Sequence, residues 1–352
     1  MVHLTRGNIL EADAEALVNT VNCAGVMGKG IALQFKQAFP ANYEAYRLAC
    51  NAGQVRPGRM FVFETGLLQN PRFIINFPTK RHWRGQARME DIEAGLQALT
   101  EEVRRRSIRS IAVPPLGCGF GGLRWDDVRP RIEGAFHNLL DVQVLLFEPA
   151  GAPEPAERPV RTEQPKLTRA RALYLLLMEQ YAALGYERTQ LEIQKLAYFL
   201  QEAGEPLRLR FTAAHYGPYA DNLNKVLETL EGHYTRGYEG ARNPETAIEL
   251  LPGAVEEART FLAGDHDAQE RLGRIGRLIE GFETPYGMEL LASIHWLAIH
   301  ANPPAHSEDE ALRQLQSWSQ RKRHLFRPEH VHRAWERLAE QGWLNGMTAT
   351  CH

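Results

Sequence analysis

Asn19-Thr20-Val21-Asn22-Cys-Ala-Gly25-Val-Met-Gly28-Lys29-Gly30-Ile31-Ala32-Leu33-Gln-Phe35 passes without a break from an apolar strand, through a glycine turn, into a helix. That succession decides the fold of the N-terminal half: a strand feeding a helix is the unit of a layered α/β protein. Glycines at 25, 28 and 30 precede a helix predicted to begin near Ile31. Backbone N–H groups at such a helix start favour phosphate, helped by the helix dipole. The segment has neither the P-loop spacing nor G-x-G-x-x-G, so neither nucleotide fold is supported. The competing reading is a structural strand–helix turn.

Two further segments also follow apolar strands. Val113-Pro-Pro115-Leu116-Gly117-Cys118-Gly119-Phe120-Gly121-Gly122-Leu123 carries four glycines in six residues, leaving little side chain between backbone and a ligand. Ile74-Ile-Asn-Phe-Pro78-Thr79-Lys80-Arg81-His82-Trp83-Arg84 is read as a strand that stops at the proline and delivers a lysine into a cationic cluster. Residues 1–164 hold three lysines (29, 36 and 80) against seventeen arginines. Lysine, unlike arginine, can lose its proton when neighbours or burial lower its pKa, and Arg81 and Arg84 are the neighbours expected to do so. A neutral amine beside two phosphate-cradling loops suits attack on an anomeric or ring-opened aldehyde carbon of a sugar attached to the diphosphate, through a Schiff-base-type intermediate. The plainer reading is a solvated turn lysine.

The 352 residues suffice for about two domains, with ordinary apolar (44%) and charged (24%) fractions. Pro149 to Pro165 contains five prolines in seventeen residues, an extended linker that gives domains 1–150 and 166–352 with residues 151–165 between them. Before it, strands are predicted at 16–22, 59–64, 72–77, 108–114 and 142–148, and helices at 29–38, 41–52, 88–106 and 126–140. This is an α/β fold with ligand chemistry at the carboxyl ends of its strands. After the linker the chain reads as mainly α-helical, over 167–184, 189–203, 219–231, 253–263, 267–281, 286–299, 307–322 and 328–342, with a short extended piece at 207–214. The formal net charge of −2 divides as +2 for residues 1–164 (20 basic, 18 acidic) and −4 for the rest (21 basic, 25 acidic), placing the better surface for a polyanion on the first domain. Cys23, Cys50, Cys118 and Cys351 show no metal-ligand or disulfide framework, and neither a signal-peptide pattern nor a membrane-length apolar run is read, so a cytoplasmic protein with no membrane association, cofactor or metal is expected. Asp265-His-Asp267 and His330-Val-His332 are read as helix surface rather than metal ligands.

Gly7-Asn8-Ile9, Ala16 to Asn22, Gly28 to Phe35 and Pro115 to Gly119 resemble, in order and spacing, the motifs of macrodomains, α/β/α folds with a mixed central sheet that bind ADP-ribose. The resemblance covers residues 1–150. More narrowly, Asn19-Thr-Val-Asn-Cys, Val26 to Phe35 and Asn76 to Trp83 are similar to the DarG antitoxins, which remove ADP-ribose from thymidine that a DarT toxin has modified in single-stranded DNA. Leu191 to Gln201 and His215-Tyr-Gly-Pro-Tyr219 resemble an antitoxin-associated Panacea-type fold.

The resemblance implies an ADP-ribosyl glycohydrolase with Lys80 as the catalytic residue. The implied ADP-ribose site is lined by Asn8, Ile9, Thr20, Val21, Asn22, Gly28, Lys29, Gly30, Ile31, Ala32, Leu33, Thr79, His82, Pro115, Leu116, Gly117, Cys118, Gly119, Phe120 and Gly121. Asn22 would hold the distal ribose, and Asn8 would stand where most macrodomains place an aspartate against the adenine amino group. Arg81, Trp83, Arg84 and Arg88 would contact DNA. Related lysine-dependent hydrolases carry an acid on the second glycine loop, whereas residues 117–125 here contain none; Asp126 or Asp127 would substitute, or Lys80 would work with His82 or water. The implied partners are ADP-ribosylated DNA, ADP-ribose as product and a cognate DarT-type toxin bound by the C-terminal domain. Three alternatives stay open: a non-catalytic ADP-ribose-binding module, a hydrolase acting on modified protein or O-acetyl-ADP-ribose, and a protein whose main task is binding the toxin.

Overall fold

The computed structural model describes residues 1–149, 158–182, 188–238 and 247–344. Two compact units part between Gln164 and Pro165. Residues 150–157 of the proline-rich stretch and Cys351 lie outside the described residues.

In the first unit the elements run β1 (Val2–Thr5), β2 (Ala16–Asn22), α1 (Gly30–Ala38), α2 (Pro40–Asn51), β3 (Phe61–Glu64), β4 (Phe73–Lys80), α3 (Met89–Arg105), β5 (Ser110–Val113), α4 (Trp125–Phe136) and β6 (Gln143–Phe147). They build a mixed six-stranded sheet of order β1-β6-β5-β2-β4-β3, parallel except for the antiparallel β3–β4 pair. The apolar strands are buried on both faces, as a parallel sheet between helices requires. One core gathers Val18, Ile75 and Ile111 with Leu96 and Leu99 of α3, and another gathers Leu17, Ile74 and Ala112 with Phe35 of α1.

Four details refine the sequence reading. First, β1 had no predicted counterpart; its Val-His-Leu-Thr is half exposed and carries no apolar run, and the parallel register with Val144 to Phe147 is what makes it a strand. Second, β4 does not stop at Pro78 but continues to Lys80. A proline is tolerated because β3 pairs only as far as Asn76, leaving that side of β4 without a ladder to serve. Third, the register against β2 shifts between Val21 and Asn22, and this irregularity sets Lys80 opposite Asn22. Fourth, α4 ends at Phe136, four residues before the expected limit.

Side-chain amides and a missing side chain fix β4 in place. Asn19 of β2, Asn76 of β4 and Asn42 of α2 are fully buried; Asn19 donates to Asn76 at 3.0 Å, and Asn76 donates to Asn42 at 2.7 Å. On the other face, Gly95 of α3 lies against the Phe77 ring so closely that a Cβ there would sit 2.2 Å from it.

In the second unit the elements are α5 (Arg169–Ala182), α6 (Gln190–Glu202), β7 (Phe211–Ala214), β8 (Gly217–Ala220), α7 (Leu223–Leu230), β9 (Thr235–Arg236), β10 (Glu249–Leu250), α8 (Ala254–Phe261), α9 (His266–Ile279), α10 (Pro285–Ile299), α11 (Glu308–Trp318), α12 (Gln320–Leu325) and α13 (Pro328–Glu340). The helix expected from 219 begins only at Leu223, because Gly217 to Ala220 pair with β7 as a hairpin. The helix expected over 307–322 is broken at Ser319, which is extended and whose hydroxyl accepts from the Lys322 N–H, capping α12. Among the described residues no helix is long and apolar enough to cross a membrane.

Asp265 caps α9 and pairs with Arg169 at 2.7 Å, and Asp267 also pairs with Arg169. His332 lies between Glu308 and Glu336, and His330 is hydrogen-bonded to the Tyr286 hydroxyl. The unit also buries charge. Lys322 donates to Glu289 and Ser293, Arg321 pairs with Glu289 from the other side, and Lys195 donates to the Pro218 carbonyl.

Candidate active site

β4, β2 and β5 run parallel and side by side, so their carboxyl ends deliver Lys80, the first glycine loop and the second glycine loop to one edge of the sheet. The Lys80 ammonium donates to the Phe120 carbonyl of the second loop. The Phe120 ring, nearly half exposed, covers Gly30 of the first loop: a Cβ on Gly30, whose φ is +56°, would stand 3.1 Å from it. Lys29 Nζ lies 4.5 Å from the centroid of the same ring. One residue, Phe120, therefore touches all three segments.

Both loops are stiffened from within. Asn22 is buried; its amide donates to the Val26 carbonyl and its oxygen accepts from Ala24 N–H at 2.8 Å, while its own carbonyl accepts from the Tyr46 hydroxyl. The structure thus commits the Asn22 side chain to shaping the first loop. In the second loop Leu123 N–H donates to Gly117 at 3.0 Å, and the chain turns so tightly that a Cβ on Gly121 would lie 2.2 Å from the Gly117 oxygen. The Gly121 carbonyl accepts from Ala87 N–H at 3.0 Å, tying this loop to the segment after Lys80. Lys29 is the N-cap of α1 and gives no side-chain cap, so no side chain occupies the first N–H groups of that helix from the cap position.

Lys80 is held below the ordinary lysine value, chiefly because burial penalises its charge and secondly because Lys29 is a like charge nearby. This corrects the sequence reading, which assigned that influence to Arg81 and Arg84. Arg81 turns to α3 and pairs with Asp91 at 3.2 Å, while the Arg84 guanidinium stacks on the Trp83 ring at 4.4 Å.

The other expected positions divide by burial. Ile9, Val21, Leu33, Thr79 and Leu116 are buried, with the Thr79 hydroxyl turned to the Val21 carbonyl, so from these positions a ligand meets backbone. Thr20, Gly28, Ile31, Ala32 and Pro115 are half exposed along the same edge, and Gly119 and His82 are exposed. Cys118 is half-buried, its thiol pushed up to about 11 by burial. The Asn8 oxygen accepts from Leu10 N–H at 3.0 Å, capping the short turn Ile9–Glu11. Its amide nitrogen is buried with no partner among the described residues. The Asn8 oxygen is thus committed to its own turn. Arg88 is exposed just before α3. Asp126 pairs with Arg124 at 3.5 Å, both highly exposed, and is not drawn toward Lys80.

Sequence reasoning missed Asp91. This carboxylate, in the first turn of α3, is 7% exposed, held by Arg81, and close enough to Cys23 to raise that thiol's pKa. Its signal was an acid directly before the buried Ile92 of an amphipathic helix, which reads as an ordinary first-turn acid.

A mixed sheet with two glycine loops at the carboxyl ends of adjacent parallel strands defines a macrodomain, and the Macro domain family matches residues 18–132. Over 344 residues the chain is 48% identical to the DNA ADP-ribosyl glycohydrolase of Thermus aquaticus, covering 98% of this chain and 94% of that protein. It is 41% identical over 355 residues to the protein of the same name from Mycobacterium tuberculosis, covering 96% and 99%. The macrodomain of Thermus aquaticus DarG, a solved structure, is 56% identical and covers 42% of this chain and 99% of that one, at a TM-score of 0.42. The chain belongs to the DNA ADP-ribosyl glycohydrolase family, and with it to the enzymes.

Proposed function

We propose that this enzyme releases ADP-ribose from thymidine in ADP-ribosylated single-stranded DNA, with Lys80 as the catalytic residue. The observation that carries the reading is the half-buried Lys80, held below its usual basicity and meeting both glycine loops at Phe120. The diphosphate lies along the α1 start and the Gly117–Gly121 loop, where N–H groups and absent side chains favour an anion. The neutral Lys80 amine attacks the anomeric carbon; the carbon–nitrogen bond to the base breaks, and the base leaves with the electron pair and takes up a proton. The glycosylamine nitrogen then gives up its protons as the bond from the anomeric carbon to the ring oxygen breaks; that oxygen leaves with the electron pair and takes up a proton, and an imine remains. Water then adds across the imine, restoring the amine and freeing ADP-ribose. Arg81, Arg84 and Arg88 contact the DNA backbone, and the Trp83–Arg84 stack offers a flat face to an unpaired base.

In this reading the enzyme is an antitoxin whose C-terminal unit binds a DarT-type toxin. A relative from Thermosipho africanus supports the pairing: it is named a DNA ADP-ribosyl transferase-DNA ADP-ribosyl glycohydrolase fusion protein, and is 32% identical over 161 residues covering 42% of this chain and 41% of that protein.

Parallel turnover assays on an oligonucleotide carrying ADP-ribosyl-thymidine, on a glutamate-modified protein and on O-acetyl-ADP-ribose test the reading. It expects release from the oligonucleotide at least tenfold faster. Binding without release, or preference for either other substrate, contradicts it.

A further inference from the structure

Lysine is scarce in the first unit, yet two of its three lysines meet at Phe120. Lys80 Nζ donates to the carbonyl of that residue, and Lys29 Nζ stands 4.5 Å from the centroid of its ring. Lys29 is the N-cap of α1, so the start of that helix carries one of the two cations gathered at Phe120.

We propose that Lys29 is a positioning residue for the reaction: an ammonium held across Phe120 from Lys80 that favours the uncharged form of the Lys80 amine. The inference rests on Lys80 being the nucleophile of the proposed function. Two like charges at partly screened range repel, and the repulsion is relieved when the attacking amine gives up its proton. Burial acts in the same direction.

The remaining titratable groups around this edge leave Lys29 as the effective neighbour. Cys23 and Cys118 have thiols pushed up to about 11 by burial, so both are neutral near pH 7. Arg81 of the β4–α3 segment and Asp91 of α3 offset one another as a pair, as do Arg124 and Asp126 ahead of α4. Arg84 lies on Trp83, and His82 Nδ1 accepts from the Arg84 N–H.

The test is the pH dependence of kcat/KM, which reports free-enzyme groups, for wild type, Lys29→Met and Lys29→Arg on an oligonucleotide carrying ADP-ribosyl-thymidine. ADP-ribose affinity is measured alongside by calorimetry. For Lys29→Met the rising limb should move to higher pH, with kcat/KM roughly tenfold lower at neutral pH and converging on wild type at alkaline pH. Lys29→Arg should keep the wild-type limb, and any loss of ADP-ribose affinity in Lys29→Met should be the same at every pH and leave the displacement of the limb in place. A loss equal at every pH, with a parallel loss of ADP-ribose affinity, would make Lys29 a diphosphate ligand and overturn the proposal; so would an unmoved profile. Full turnover by Lys80→Ala would instead remove the reading beneath it, a separate result.

Discussion

The Phe120 carbonyl accepts the ammonium hydrogen of Lys80, so the second glycine loop is fastened directly to the end of β4. The turn that presents this backbone acceptor depends on the absent side chain of Gly121, where a Cβ would lie 2.2 Å from the Gly117 oxygen. The contact holds Lys80 in its charged form, whereas burial and Lys29 favour the neutral one. Catalysis by a neutral amine requires the ammonium to give up one proton, so activity is expected to rise with pH across the lowered Lys80 pKa.

Glycine loops can be probed where the space around them differs. A Cβ on Gly119 meets no atom within 4 Å, whereas one on Gly121 collides with the Gly117 oxygen at 2.2 Å. Gly119→Ala should therefore leave thermal stability within about 0.5 kcal/mol of wild type and weaken ADP-ribose binding about tenfold, if this loop holds the diphosphate. Gly121→Ala should reduce both. Calorimetric titration beside thermal melts separates the two effects; unimpaired ADP-ribose binding by Gly119→Ala would take that loop away from the ligand.

Asn76→Leu should destabilise the first unit by roughly 2–4 kcal/mol, because the buried Asn19 and Asn42 amides lose their partner. Urea unfolding measures this, and a cost below about 1 kcal/mol would mean that the amides re-pair.

Gly95→Ala places a methyl group 2.2 Å from the Phe77 ring. Either α3 or the end of β4 must move, at a cost of roughly 1–3 kcal/mol. Turnover should fall with stability, since Phe77 lies three residues before Lys80. Phe77→Leu in the same chain should recover part of both; failure of the pair to couple would place the strain elsewhere.

In the second unit, burial pushes His295 down to about 4 from its ordinary 6.5, while its Nδ1 bonds the Tyr198 hydroxyl at 2.7 Å. Between these two values the unfolded chain binds more protons than the folded one, so this contribution to stability is complete above pH 6.5 and is lost as pH falls toward 4. The drop amounts to roughly 3 kcal/mol if no other group compensates. Trp343, whose ring lies 5.8 Å from His295, gives a fluorescence signal for urea titrations at pH 7 and 5. His295→Gln should flatten the pH dependence, and an equally steep dependence in that variant would assign it to other groups.

The alternation of apolar runs and amphipathic stripes made most of the first unit's layers readable, because its central strands are buried on both faces and its helices on one. Strand β1 escaped notice because four half-exposed residues at a sheet edge are too short a pattern to read alone, and β1 takes its identity from pairing with β6. Pro78 looked like a stop because the local rule is sound; only the unpaired flank of β4 excuses it. Arg81 and Arg84 looked like the neighbours of Lys80 because they are adjacent in sequence, yet alternation along an extended chain sends neighbours apart, and the fold supplied Lys29 from α1 instead. The Asn19–Asn76–Asn42 network could not be read from spacing, since it joins residues 34 and 57 positions apart.

The central claim is tested most directly by single-turnover release of ADP-ribose from an ADP-ribosyl-thymidine oligonucleotide, comparing wild type with Lys80→Ala and measuring ADP-ribose affinity in parallel. The account predicts that Lys80→Ala abolishes release while ADP-ribose affinity stays within several-fold. Full release by Lys80→Ala would contradict it.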